Sequence, residues 1–323
     1  MANADRNAEA DAALLELGTL LKRQGYRHIT VTPATHARVN ARPGNEVARD
    51  VRDVFGWSRP FSPSILPANV LELMERADVL TQHGDLFRST IRASTIDGDL
   101  FFHSAYPTDQ ADAVFFGPDT YRYLSALQQY LRHAGSPVTR AADIGCGAGP
   151  AAVLLARHNV HAEVLALDIN DEALRYTRLN ARLANVSNVT ATRSNLLGDT
   201  EGEFDLIVSN PPYMADEAHR HYRDGGGALG SGLSVAIVEA AITRLREEGS
   251  LLLYTGVAMV EGQDPFLSAV TSRLRDAGFA WHYVEMDPDV FGEELESPAY
   301  VRAERIAAVV LTATRDPSEV GHA

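Results

Sequence analysis

Apolar residues recur at helical spacing over residues 8 to 25, where Leu14, Leu15, Leu17, Leu20 and Leu21 share one face and Gly25 supplies a stop. The same reasoning predicts helices over 46 to 55 and 67 to 77, the second entered through Pro67. Strand-like runs at 86 to 93 and 100 to 104 flank Asp97-Gly98, a good hairpin turn. Helices and a hairpin within about a hundred residues describe a small α+β unit, winged-helix-like in make-up, over residues 1–105. Loop composition follows, from Tyr106-Pro107 to Gly117-Pro118, and a helix is expected from Asp119 to about His133.

Beyond Gly135-Ser136-Pro137 the pattern becomes a long alternation. Strands are expected at 140–143, 163–168, 189–194, 204–209, 250–255, 280–285 and 305–312. Helical stretches fall near 149–157, 171–184, 233–247 and 264–276. Mostly apolar strands alternating with helices predict an α/β fold, a Rossmann-like doubly wound sheet of seven strands. No helix separates the last two strands, so they should pair antiparallel at one edge. The second domain is expected to span 106–323.

Composition narrows the class. Of 323 residues, 45% are hydrophobic and 22% charged, which suits a globular chain. The polar N-terminus lacks a signal-peptide core, and no apolar run is long enough to span a membrane, so a cytoplasmic protein is the simplest expectation. One cysteine, Cys146, excludes an intrachain disulfide and a cysteine-rich zinc site. With 43 acidic against 29 basic residues the net charge is −14, which disfavours general binding to phosphate backbones. The charge is uneven, however: residues 22 to 60 carry eight Lys or Arg against three acids, and residues 284 to 304 carry seven acids against Arg302 alone.

Candidate chemistry begins at Asp143-Ile144-Gly145-Cys146-Gly147-Ala148-Gly149, between the first strand of the alternation and its first helix. Gly145, Gly147 and Gly149 allow a tight turn and close approach of a ligand to the backbone. The next strand ends at Asp168, placed to accept from ribose hydroxyls. The glycines depart from the spacing of dinucleotide-binding loops, and the Asp143 carboxylate suits a cationic ligand better than a pyrophosphate. S-adenosylmethionine (SAM) has a sulfonium and an ammonium and no phosphate. On these residues the chain resembles class I SAM-dependent methyltransferases over roughly 115 to 314. Cys146 has no basic partner in the sequence around it and reads as a small packed residue of the loop.

At the close of the fourth strand of this sheet stands Asn210-Pro211-Pro212-Tyr213. Two prolines stop strand pairing and stiffen the corner, which presents a side-chain amide, free carbonyls and an aromatic ring. The sequence looks like the NPPY motif of methyltransferases acting on planar nitrogens, notably the HemK type and the adenine-N6 enzymes. Gly117-Pro118-Asp119-Thr120 resembles the Arg-Pro-Asp-Thr segment that covers the cofactor in the HemK type, with Gly117 in place of Arg and Tyr121 in place of Glu. The resemblance implies a cofactor set of Pro118, Thr120, Asp143, Gly145, Cys146, Gly147, Gly149, Asp168, Ile169, Asn195, Leu196 and Asn210. Asn195 stands where the family usually has an acid near the adenine. Asn210 and Tyr213 would be catalytic, by positioning and electrostatics. Pro211, Pro212, Tyr213 and Phe291 would meet the acceptor.

The acidic stretch after residue 284 favours a planar amide or amine of a protein or small molecule as acceptor. Two alternatives stay open: an amino-group methyltransferase on RNA guided by the basic N-terminal stretch, and a non-catalytic partner protein that keeps the fold. No membrane or metal partner is expected. His219 and His221 form an H-x-H pair without further ligands in the sequence nearby, and the glycines at 225–227, 230 and 232 suggest a substrate lid.

Overall fold

The computed structural model describes residues 2–216, 220 and 222–316. His219 and His221 lie outside the described residues. The N-terminal unit opens with α1 (Ala2–Arg23), α2 (Pro33–Asn40), α3 (Val51–Phe55) and α4 (Ala68–Arg76). Two hairpins follow, β1 (Leu80–His83) with β2 (Leu86–Ser89), and β3 (Ile91–Ile96) with β4 (Asp99–Ser104). The first hairpin comes directly after α4.

Two expectations need correction here. The run at 86 to 93 is not one strand: it breaks at Thr90, and its first half pairs backward across Gly84-Asp85 with β1. Only its second half uses the Asp97-Gly98 turn. The helix expected over 46 to 55 begins at Val51, where the Asp50 side chain accepts from the Asp53 amide. Helix α2 was not expected, although Thr32 caps it and Pro33 occupies its first turn.

The second unit contains α5 (Pro118–His133), β5 (Arg140–Ile144), α6 (Pro150–His158), β6 (Glu163–Asp168), α7 (Asp171–Leu183), β7 (Val189–Arg193) and β8 (Phe204–Ser209). It continues with α8 (Gly232–Arg244), β9 (Leu245–Val260), α9 (Pro265–Asp276), β10 (Phe279–Asp287) and β11 (Ala303–Arg315). The seven strands lie in the order β10-β11-β9-β8-β5-β6-β7. Strands β9, β8, β5, β6 and β7 run parallel, and β11 enters antiparallel between β9 and β10.

Alternate side chains of each strand feed opposite layers. Ala141, Leu206 and Leu252 face α5 and α6, whereas Ala142, Ile207 and Leu251 face α8 and α9. A third apolar layer joins the N-terminal unit to the outer face of α6 and α7 through Leu14, Leu17, Phe102, Tyr176, Leu179 and Leu183. Fully buried Asn180 binds this seam: its amide accepts from Phe102 N–H at 2.9 Å and donates to the carbonyls of Phe102 at 2.9 Å and Ala148 at 2.8 Å. One side chain thus satisfies the backbone of both the β4 hairpin and the glycine loop. Among the described residues, no helix is long and apolar enough to cross a membrane.

Candidate active site

Strand β5 ends where β6 and β8 flank it on opposite sides, the point of an open sheet at which connections diverge and a crevice forms. The loop out of β5 is held by Gly145 N–H and Cys146 N–H, which donate to the Leu167 carbonyl at 2.8 and 3.0 Å. Asp168 organises the other side, its carboxylate accepting from Gly147 N–H at 3.0 Å and Asn170 N–H at 2.9 Å. Gly149 has φ +80°, and a Cβ there would lie 2.8 Å from Thr177 Oγ1, so the residue is fixed by both conformation and space. Cys146 is buried, its sulfur 3.4 Å from Thr177 Oγ1. Burial pushes its thiol well up, so it is no nucleophile.

Across the crevice, Ser209 Oγ donates to the Ile144 carbonyl at 2.7 Å, fixing the end of β8 against the glycine loop. Asn210 therefore emerges beside Gly145. Tyr213 turns inward, 7% exposed, with its ring edge-on to Phe291 at 6.0 Å. Its other wall is Gly256 of β9, where a Cβ would sit 2.4 Å from two ring carbons. Gly225 and Gly230 lie against the backbone of Pro212 and Tyr213 so closely that any side chain would collide with it. That loop is thus packed against the corner, and the lid expectation gives way to a supporting role.

These elements enclose one cavity of about 220 Å³. Of the expected residues, Thr120, Gly145, Gly147, Asp168, Ile169, Asn195, Leu196, Asn210, Pro211, Pro212, Tyr213 and Phe291 line it. Pro118, Asp143, Cys146 and Gly149 do not. Asp143 lies beneath the loop, accepting from Ala152 N–H at 3.1 Å and from the Tyr123 hydroxyl at 3.4 Å. Burial, and then the nearby Asp168 charge, push its carboxyl up to about 7. It supports the loop internally, and the carboxylates on the cavity lining are those of Asp168 and Asp119.

Asp119 also lines the cavity, although it is not among the expected site residues. Its Oδ1 accepts from the Tyr254 hydroxyl at 2.6 Å and from Arg122 at 3.2 Å, and Arg122 continues to Asp287 at 2.9 Å. Burial, then the Asp119 charge, hold the Tyr213 hydroxyl well above its ordinary pKa, so Tyr213 is a neutral phenol and no base. Over the cavity, Phe115 stacks on Tyr222 at 5.6 Å, and the Tyr222 hydroxyl donates to the Thr108 carbonyl at 3.0 Å. This roof explains the glycine at 117, and a separate contact engages Tyr121. A Cβ at Gly117 would meet the Phe115 ring at 2.5 Å. Tyr121 turns away to accept from Thr30 N–H at 3.1 Å, fastening α5 to the N-terminal unit.

The lining suits SAM chemically. Exposed Ile169 and half-buried Leu196 offer apolar surface for a flat ring, and the Asp168 carboxylate lies on the same lining. Two carboxylates, Asp119 and Asp168, lie on this lining, and its one guanidinium, Arg223, is paired with Asp216 at 3.4 Å and Glu294 at 2.5 Å. Such a balance favours a cation and disfavours a polyphosphate. Among the described residues, no three His, Cys, Asp or Glu side chains group as a metal set.

Comparison with known proteins agrees. Residues 124–261 match the Methyltransferase small domain family. A release factor glutamine methyltransferase of Deinococcus radiodurans is 34% identical over 220 residues, covering 65% of this chain and 73% of the relative. A ribosomal protein uL3 glutamine methyltransferase of Xanthomonas campestris is 32% identical over 158 residues, covering 46% of this chain and 49% of the relative. A solved ribosomal protein L11 methylase of Lactobacillus delbrueckii resembles the fold with a TM-score of 0.42 at 20% identity, over 61% of this chain and 80% of that one. Fold and family match define a class I SAM-dependent methyltransferase, with SAM as methyl donor. Within that class the chain belongs to the HemK-type N-methyltransferases.

Proposed function

We propose that the chain methylates the side-chain amide nitrogen of a glutamine in a protein, with residues 1–105 forming the unit that selects the acceptor. The observation that carries this reading is that the Asn210–Tyr213 corner and the glycine loop line the same cavity. The two curated relatives described above are glutamine methyltransferases acting on a release factor and a ribosomal protein. Bound SAM supplies an electrophilic methyl group on a sulfonium.

The chain's own residues do the rest by positioning. Asp168 and Asp119 supply the negative potential for the cationic donor, and Ile169, Asn195 and Leu196 hold its flat base. The Asn210 side-chain oxygen and the Pro211 carbonyl accept the two N–H bonds of the acceptor amide, which turns the nitrogen toward the methyl group. Pro212 stiffens that corner, and the Tyr213 ring, braced by Gly256 and Phe291, holds the planar face. Orientation of this kind is worth about 7–11 kcal/mol in the best intramolecular cases. Once methylated, the nitrogen is acidic and loses its extra proton to solvent, so neutral Tyr213 need not act as a base.

The acidic stretch after residue 284 works less as a repulsive rim than its composition suggests. Glu285 pairs with Arg305, Asp287 with Arg122 and Glu294 with Arg223. In the N-terminal unit, Arg59 is buried against Asp53 at 2.7 Å and is withdrawn from any RNA-facing surface. Action on such proteins also supports a cytoplasmic place of work. Labelled SAM incubated with fractionated cell extract tests the reading: label should enter protein and map by mass spectrometry to glutamine. Label recovered in RNA, or on another residue type, would overturn it.

A further inference from the structure

The connection from β10 to β11, residues 288–302, is no tight hairpin. It contains two 3-10 turns, Gly292–Glu296 and Pro298–Tyr300, and enters the first through Phe291. Phe291 has φ +55°, the left-handed region, which is unusual for a bulky side chain. Such a conformation persists where the contacts around it over-determine it, and it concentrates at functional sites. Here the strained residue is an aromatic on the lining of the methyl-transfer cavity, edge-on to Tyr213.

Two ties hold this connection against the Asn210–Tyr213 corner. The Phe291 carbonyl accepts from Glu294 N–H at 2.8 Å, closing the turn, and the Glu294 carboxylate pairs with Arg223 at 2.5 Å. The Arg223 carbonyl in turn accepts from Met214 N–H at 3.0 Å, one residue beyond Tyr213. The second tie is Tyr300, whose hydroxyl accepts from Ala215 N–H at 2.8 Å. The side chains of Arg223 and Glu294 are only 22% and 20% exposed, so salt screens their pair less than one in open water. Tyr222 and Arg223 are consecutive residues with different walls to fasten. Tyr222 stacks on Phe115 in the roof, and Arg223 fixes the turn that carries Phe291.

We propose, on the reading that the acceptor is a protein glutamine, that Arg223 and Glu294 are positioning residues for its amide. Their ion pair holds the left-handed turn at Phe291. The Phe291 ring then sets where the Tyr213 ring, and with it the planar face of the acceptor, can lie. Neither residue touches the reacting atoms. Removing the pair leaves the neighbouring charges matched, because Arg223 keeps Asp216, and Asp216 keeps three hydrogen bonds from Arg220.

Labelled SAM and a dilution series of the protein fraction of cell extract measure how rate depends on acceptor. Glu294→Ala and Arg223→Met should each lower the rate at limiting acceptor by roughly 10²-fold, the scale for a misplaced positioning group. Calorimetric SAM affinity should stay close to that of the wild type. The double variant should be no slower than either single one, because the two residues act through each other. Phe291→Gly, which adopts the left-handed turn without strain, should reproduce the defect, and adding Glu294→Ala to it should cost nothing more. Wild-type rates in the single variants, losses that add in the double variant, or SAM binding that weakens as much as the rate would each overturn the positioning role. If the unaltered chain places no label on glutamine, the acceptor reading falls and the positioning role falls with it. Labelled glutamine with unaffected variants overturns the positioning role alone.

Discussion

The Tyr254 hydroxyl donates to Asp119 Oδ1 at 2.6 Å across 135 positions of sequence, locking the first turn of α5 onto the middle of β9. Both residues are buried, and the carboxylate they share also holds Arg122 and faces the Tyr213 hydroxyl. Tyr254→Phe removes one hydrogen bond to a charged group. It should lower stability by about 1.5–3 kcal/mol. Because Asp119 lines the active-site cavity, turnover should fall along with stability, measured by denaturant unfolding and kcat side by side. Lost stability with an unchanged kcat would make Asp119 a structural anchor with no part in the chemistry.

Asn210→Ala should leave SAM affinity nearly intact and reduce turnover by roughly 10²-fold or more, the range for losing one preorganised polar contact to the reacting group. Calorimetric SAM binding and single-turnover methylation separate the two effects. Near wild-type turnover would remove the corner from the mechanism.

Much of this site was legible because its signals are local. The glycine loop is three small residues at fixed spacing, Asp168 ends the next strand, and Asn210-Pro211-Pro212-Tyr213 is contiguous. The parallel, doubly wound sheet followed from the alternation, and the antiparallel pairing of β10 with β11 from the missing helix between them. Partners that meet only through the fold were not legible. Nothing near Gly256 announces that a Tyr213 ring will rest on it, and nothing near Asp119 announces Tyr254. The split at Thr90 was hidden because 86 to 93 has one continuous strand composition, and composition does not say which neighbour each half will pair with. Helix α2 had a readable cap in Thr32-Pro33, but its short polar sequence lacks an apolar period.

Asp168→Ala should act on binding first. Its carboxylate positions the Gly147 and Asn170 amides and faces the cofactor cavity. Loss of a charged hydrogen-bonding group at about 1.5–3 kcal/mol corresponds to roughly 10- to 150-fold weaker SAM binding. Titration calorimetry checks this, and an unchanged dissociation constant would contradict it.

Gly256→Ala tests the wall behind Tyr213. The new methyl group would lie 2.4 Å from ring atoms Cδ2 and Cε2, so the ring must shift. Overpacking of this kind costs about 1–3 kcal/mol of stability. A displaced positioning group can cost roughly 10²-fold in rate. The variant should fold, bind SAM and turn over slowly. Full activity would show that the ring's placement does not matter.

Asp143 gives a pH prediction whose sign follows from its burial. Its folded pKa is raised from the ordinary 3.8 to about 7 by burial first, then by Asp168. A raised value means the folded state favours the protonated carboxyl. The stability it contributes is complete below about pH 4 and is lost as pH rises through about 7. Buried His28, His36 and His103 have lowered values, so they act oppositely, losing stability as pH falls below the ordinary imidazole range. Comparison with Asp143→Asn cancels the histidines. An Asn amide can still accept from Ala152 N–H and donate to the Tyr123 oxygen, but it cannot ionise. Melting temperatures measured from pH 5 to 8 should therefore show the variant gaining on the wild type as pH rises. A constant gap across that range would mean that Asp143 does not titrate there.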